Sequence, residues 1–169
     1  MALACLEGLS ERGFPLTEAE VRVGVRETRW PGRLEEVPTR PAIVLDGAHN
    51  PAGVAALLRA LETDYAGRSV HLVFGVFKDK DSEPMMRALF PRCAAVYLTP
   101  IDSPRSKSPA SYEALARTLC PSVHRAHSAM EAIDLASAGA SEGIVVVAGS
   151  LALVGEVRRR LIERGALTR

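Results

Sequence analysis

The stretch LDGAHNPAG, residues 45–53, gathers an acid, two glycines, a histidine, an asparagine and a proline directly after an apolar run. Asp46 can accept hydrogen bonds from sugar hydroxyls, and His49 can donate one to a phosphoryl or carboxylate oxygen. Asn50 is suited to cap a following helix, whose first position Pro51 would occupy. Free N–H groups and a positive dipole end at such a helix start favour an anion. The plainer possibility is that Asn50 and Pro51 only start a helix and His49 is a satisfied turn histidine. Two further stretches have related character. GVFKDKD, residues 75–81, holds Lys78 and Lys80, two of the three lysines in a chain whose other 18 basic residues are arginine. AGSLALVGEVRRR places Ser150 where it can cap the last helix.

These residues need a scaffold, and the surrounding sequence predicts one. AIVLD (42–46), VHLVFGV (70–76), AAVYLT (94–99), SVHRA (122–126) and GIVVVAGS (143–150) read as strands, largely continuous in Val, Ile and Leu. Helical stripes lie between them: Val54, Leu57, Leu58 and Leu61, then Met85, Met86 and Leu89, then Ala110 to Leu119, Ala129 to Ala136, and Leu151, Val154, Leu161 and Ile162. Such alternation predicts βαβ units, a mostly parallel sheet and helices on both faces. All three candidate stretches then fall at the carboxyl ends of strands, where open α/β sheets bind ligands.

Composition narrows the partners. The 169 residues suit one compact domain, or one domain with a small appendage, by the usual ~100–200 residues per domain. A net charge of +1 gives no reason to expect nucleic acid or a membrane surface. Three widely spaced cysteines, Cys5, Cys93 and Cys120, predict reduced, buried thiols in a cytoplasmic protein. MALACLEGLS lacks a basic leader, and the longest apolar run falls short of the ~20 residues of a spanning helix. The expectation is a soluble protein.

The first 40 residues differ from the rest. LACLEGLSERG reads as a helix closed by Gly13, LTEAEVRVGVRE as a second with a Thr17/Glu20 capping box, and RWPGRLEEV as a turn into a short strand. TPIDSPRSKSP, residues 99–109, is a Pro/Ser-rich loop longer than a plain connection needs. Neither G-x-G-x-x-G nor G-x-x-x-x-G-K-[ST] occurs, and the four histidines show no metal-ligand spacing. His71, inside a strand pattern, is expected in the core or on a sheet face.

RWPGRLEEV, AIVLDGAHNPAGVAALLRAL, VFGVFKDKD and VVVAGSLALVGEVR, in this order and spacing, resemble the C-terminal domain of the folylpolyglutamate synthase/dihydrofolate synthase family within the Mur ligase superfamily. DGAHNP after a strand is the specific part of the likeness. Ala152 departs from it, since many relatives carry an aromatic after GSL. The resemblance implies a three-layer Rossmann-like α/β domain with a six-stranded sheet, one strand antiparallel. It implies an ATP-dependent amide ligase in which a folate or pteroate carboxylate is activated as an acyl phosphate and attacked by L-glutamate. ATP and Mg2+ are implied cofactors, with the P-loop and magnesium ligands mainly in a larger N-terminal ATPase domain, and no metal site in this chain. Residues 1–32 would then be a helical connector from that domain and 33–169 the glutamate ligase domain, a fragment inactive alone. By the same resemblance, Arg33 and His49 would be catalytic, and Arg33, Asp46 and Asn50 would bind the nucleotide. His49, Lys80 and Ser150 would be substrate-binding groups near the γ-phosphate and the incoming glutamate, Lys80 as the cation for a carboxylate and Ser150 as a hydrogen-bond donor. The alternative is a stand-alone, non-catalytic α/β ligand-binding or interaction module.

Overall fold

The structure, a computed structural model, describes residues 2–168, and the chain divides into two compact units between Trp30 and Pro31. The first holds α1 (Ala2–Ser10) and α2 (Glu18–Glu27). A tight turn ends α1, with Gly13 in the left-handed region at φ +90°. The capping box expected at α2 is complete: the Glu20 amide donates to Thr17 Oγ1 (3.2 Å) and the Thr17 amide to Glu20 Oε2 (2.8 Å). No residue of α2 is buried, and Leu3, Phe14, Leu16, Val23, Val25 and Trp30 are exposed. Local capping defines this unit better than packing does.

The second unit is a three-layer α/β domain. Its strands are β1 (Glu35–Val37), β2 (Ala42–Leu45), β3 (Val70–Phe74), β4 (Ala95–Leu98), β5 (Val123–Arg125) and β6 (Ile144–Ala148). They lie in the order β1-β2-β6-β3-β4-β5, with β1 antiparallel to β2 and every other pairing parallel. The helices are α3 (Pro51–Thr63), α4 (Glu83–Leu89), α5 (Glu113–Leu119), α6 (Ala129–Gly139) and α7 (Leu151–Glu163).

Side-chain alternation sorts the core into two layers. Along β6, Ile144, Val146 and Ala148 join Val44, Leu72, Phe74 and Leu98 under α3, α4 and α5. Val145 and Val147 join Ile43, Leu45, Val73 and Tyr97 under α6 and α7. A strand covered on both faces is apolar at nearly every position, which explains the unbroken run IVVVA. Each fully buried aliphatic side chain contributes ~1.5–3 kcal/mol by leaving water.

Three expectations change in detail. Leu151 is exposed, because α7 buries Leu153, Val154, Val157 and Leu161 while its first residue lies at the open carboxyl edge. The segment 110–119 is interrupted at Tyr112, whose φ of −130° separates a 3₁₀ turn (Pro109–Ser111) from α5 and whose ring packs edge-on to Phe74. Cys93 and Cys120 are buried as expected, but Cys5 is exposed on α1. His71 lies in the core, its Nδ1 3.3 Å from the Tyr97 hydroxyl.

Candidate functional site

The site is built where helices leave the sheet in opposite directions: α3 follows β2 on one face, and α7 follows the adjacent β6 on the other. The loops after these strands, 46–50 and 149–150, are tied together by the Gly149 amide donating to the Ala48 carbonyl (2.8 Å). Gly149 has φ +106°, and a Cβ there would lie 2.7 Å from the Gly75 carbonyl oxygen. Only glycine fits, so the loops after β2, β6 and β3 approach one another closely.

Asp46 is buried, and its carboxylate is committed to backbone. Oδ1 accepts from the Ala48 amide (2.9 Å) and Oδ2 from the Leu34 amide (3.1 Å). The Gly47 amide donates to the Gly32 carbonyl (2.8 Å), so the turn carrying Arg33 is fastened to the DGAHNP loop. Arg33 is exposed, and its Nη1 lies so near Gly47 that a Cβ there would sit 2.9 Å from it. The guanidinium donates to no protein acceptor among the described residues.

His49 is half-buried, and its Nδ1 lies 2.8 Å from the Gly47 carbonyl. A carbonyl can only accept, so the geometry assigns the proton to Nδ1 and leaves the Nε2 lone pair as the group on offer. Donation from Nε2 therefore requires the doubly protonated ring. Asn50 is exposed and spends its Oδ1 on the Gly53 amide (2.8 Å), capping α3 with Pro51 in the first turn. Ser150 is buried, and its Oγ accepts from the Ala152 amide (3.2 Å) to cap α7. Arg33, Asp46, His49, Asn50 and Ser150 thus share one edge, with two thirteen-residue helices starting from it.

Lys80 stands apart. It is exposed on the loop after β3, and its Nζ is 3.9 Å from Asp79. Asp79 is gripped by both Arg105 contacts (3.0 Å each), and that hydrogen bonding holds its carboxyl below the ordinary aspartate range. Phe77 bridges Ser106, Lys78 donates to the Pro104 carbonyl (3.1 Å) and Lys107 to the buried Ser82 (3.0 Å). All three lysines of the chain lie in this small ribbon formed by the loops after β3 and β4.

Sequence reasoning missed Glu35 and Arg158. Glu35 Oε2 accepts from the Gly32 amide (2.7 Å), and Arg158 Nε contacts both Glu35 oxygens (2.9 and 3.1 Å). The one signal in the sequence was the position of Glu35 three residues beyond Gly32. Among the described residues no three His, Cys, Asp or Glu side chains converge as a metal site. Among the described residues no helix is long and apolar enough to cross a membrane.

Residues 32–151 match the family described as Mur ligase, glutamate ligase domain. A folylpolyglutamate synthase of Lacticaseibacillus casei is 34% identical over 150 residues, covering 88% of this chain and 34% of that protein. A Mycobacterium tuberculosis folylpolyglutamate synthase, solved with ADP and AMPPCP, superposes with a TM-score of 0.80 at 30% identity over 86% of this chain and 35% of its own. E. coli FolC, solved with DHPP and ADP, gives 0.82 at 28% identity over 95% of this chain and 38% of its own. The chain spans about one third of the length of relatives such as those of Lacticaseibacillus casei and Bacillus subtilis. Sheet order, the DGAHNP loop after β2 and these likenesses agree: the chain belongs to the Mur ligase, glutamate ligase domain family.

Proposed function

We propose that this chain is the C-terminal domain of an ATP-dependent amide ligase that adds L-glutamate to folate or dihydropteroate, completed by an N-terminal domain carrying a P-loop. In that reaction the pteroate or folate carboxylate attacks the γ-phosphorus and ADP leaves. The glutamate amine then attacks the acyl carbon, phosphate leaves and an amide forms. The observation that carries this reading is Arg33: an uncommitted guanidinium held against Gly47, at the edge where α3 and α7 begin, in a chain of the glutamate ligase domain family. That relatives were solved with ADP supports a nucleotide-dependent reaction.

Each residue has a role within the proposal. Arg33 reaches the phosphates, where a planar guanidinium stabilises the charge that spreads in phosphoryl transfer. Asp46 retains oxygen lone pairs beyond its two backbone contacts and accepts from the ribose. Asn50 fixes the start of α3 beside the nucleotide. The Nε2 of His49 takes the proton that the glutamate ammonium must lose before it attacks. Ser150 and Lys80 hold the glutamate, Lys80 as the cation for a carboxylate on a movable stem. In this proposal the magnesium ligands lie mainly in the N-terminal domain. Residues 1–32 are the connector to that domain.

The test is ATP-dependent phosphate release with folate or dihydropteroate and L-glutamate. It is run on this chain alone and on a chimera in which the chain replaces the matching third of the Lacticaseibacillus casei synthase. Turnover by the chimera only, abolished by His49→Ala, is the expected result. A folded chimera that binds ATP but never turns over would favour the non-catalytic binding module.

A further inference from the structure

We propose that Glu35 is a positioning residue for Arg33, clamped in place by Arg158 of α7; this rests on the role given to Arg33 above. In the turn around Arg33, the side chains of Arg33 and Leu34 are exposed. Gly32 and Leu34 both have positive φ, +70° and +47°. A leucine rarely adopts the left-handed region unless its surroundings impose it.

Hydrogen bonds impose it here. Two come from the DGAHNP loop: the Leu34 amide donates to Asp46, and the Gly32 carbonyl accepts from the Gly47 amide. The third comes from within the turn, where the Gly32 amide donates to Glu35 Oε2 at 2.7 Å. A glutamate next to an exposed turn has many rotamers, and Arg158 removes that freedom by binding both carboxylate oxygens. Both side chains are mostly shielded, at 17% exposure for Glu35 and 23% for Arg158, so solvent screens the pair less than the surface pairs elsewhere.

The spacing on α7 fits this purpose. Ser150 caps the helix, Val154 lies under Gly32 so closely that a Cβ there would be 2.8 Å from its Cγ1, and Arg158 follows four residues later. Positions i, i+4 and i+8 share one helix face. The same helix therefore fixes Ser150 and the turn that presents Arg33, which links the two candidate ligand-binding groups mechanically.

The pair could instead be a plain anchor between β1 and α7, and four variants separate the two roles. Glu35→Ala removes both the acceptor for the Gly32 amide and the partner of Arg158. Glu35→Gln keeps an acceptor and loses the charge. The exchange Glu35→Arg with Arg158→Glu can restore an ion pair but leaves Gly32 without its acceptor. Arg33→Ala combined with Glu35→Ala asks whether Glu35 acts through Arg33.

In the chimera, Glu35→Ala is expected to lower kcat at least tenfold with KM for ATP changed less than threefold, and Glu35→Gln to stay within about threefold of wild type. The exchange should recover Tm and not kcat. Adding Glu35→Ala to Arg33→Ala should cost less than twofold more. On the 169-residue chain itself, hydrogen exchange at the Gly32 amide should accelerate at least tenfold in Glu35→Ala while the β6 amides stay protected. Recovery of kcat by the exchange, full additivity with Arg33→Ala, or unchanged Gly32 exchange would overturn the proposal. Loss of nothing in Arg33→Ala alone would instead remove the reading of Arg33 on which it rests, while the exchange measurement would still decide whether Glu35 holds the turn.

Discussion

The two halves of the carboxyl edge are held in different ways. On one side, hydrogen bonds to backbone groups from Asp46, Gly47 and Gly149 tie the loops after β2 and β6 to each other and the first of them to the Arg33 turn, at residues that are almost wholly buried. On the other, the ribbon after β3 and β4 carries Lys78, Asp79, Lys80 and Arg105 on exposed side chains whose contacts water can replace. Rigid groups suit the recognition of phosphates and ribose, whose geometry is fixed. In the proposed reaction, the long exposed Lys80 suits the carboxylate of glutamate. In this account the first half is preorganised and the second adjusts.

The comparison breaks most visibly at Gly149. Gly149→Ala puts a Cβ against the Gly75 carbonyl and the Phe74 ring at positive φ, and a loss of roughly 3 kcal/mol or more is expected in urea unfolding. Asp46→Ala leaves the Leu34 and Ala48 amides without acceptors, and about 1–4 kcal/mol should go, ~1–3 kcal/mol for the buried Ala48 amide and less for the part-buried Leu34 amide. A loss as small at Asp46 as at Asp79 would mean that the two halves are alike.

The sheet interior supplies a pH control between these extremes. Burial, and secondarily the nearby His124, hold His71 below the ordinary histidine range. The folded state therefore binds this proton less readily than the unfolded chain does. His71 costs nothing above pH 6.5, and stability falls as pH drops below it. The urea midpoint should decline there in the wild type and decline less in His71→Phe. An identical decline in both would reassign the effect. The smallest change is expected in the ribbon. Arg105 depresses the Asp79 carboxyl, so any stabilisation is present at neutral pH and lost in acid, but the group is exposed. Asp79→Asn should leave the urea midpoint at pH 7 unchanged within error. A clear shift would show the ribbon to be as firmly built as the Asp46 loop.

The central strands were legible because a strand buried on both faces leaves a nearly continuous apolar run, unbroken in IVVVA and interrupted only by His71 in VHLVF. Asn50, Pro51, Ser150 and the Thr17/Glu20 box were legible because caps act over three residues. RWPGRLEEV reads locally as a turn into a short strand, and the family resemblance supplied the count of six and the antiparallel direction, which β1 fulfils. The brace between Glu35 and Arg158 was not legible, since its members lie 123 residues apart and nothing local marks the pairing. The break at Tyr112 was hidden for a related reason. Its ring leaves the helical stripe to meet Phe74, a contact that the period of the segment does not encode.

Amide formation by the chimera with Arg33 as arginine, lysine or alanine tests the central claim most directly. The expected result is measurable ligation with arginine, at least a tenfold loss with lysine, which lacks the planar fork, and at least a hundredfold loss with alanine, amounting to about 2.7 kcal/mol of transition-state stabilisation. Equal rates from all three would contradict a role for this turn in phosphoryl transfer.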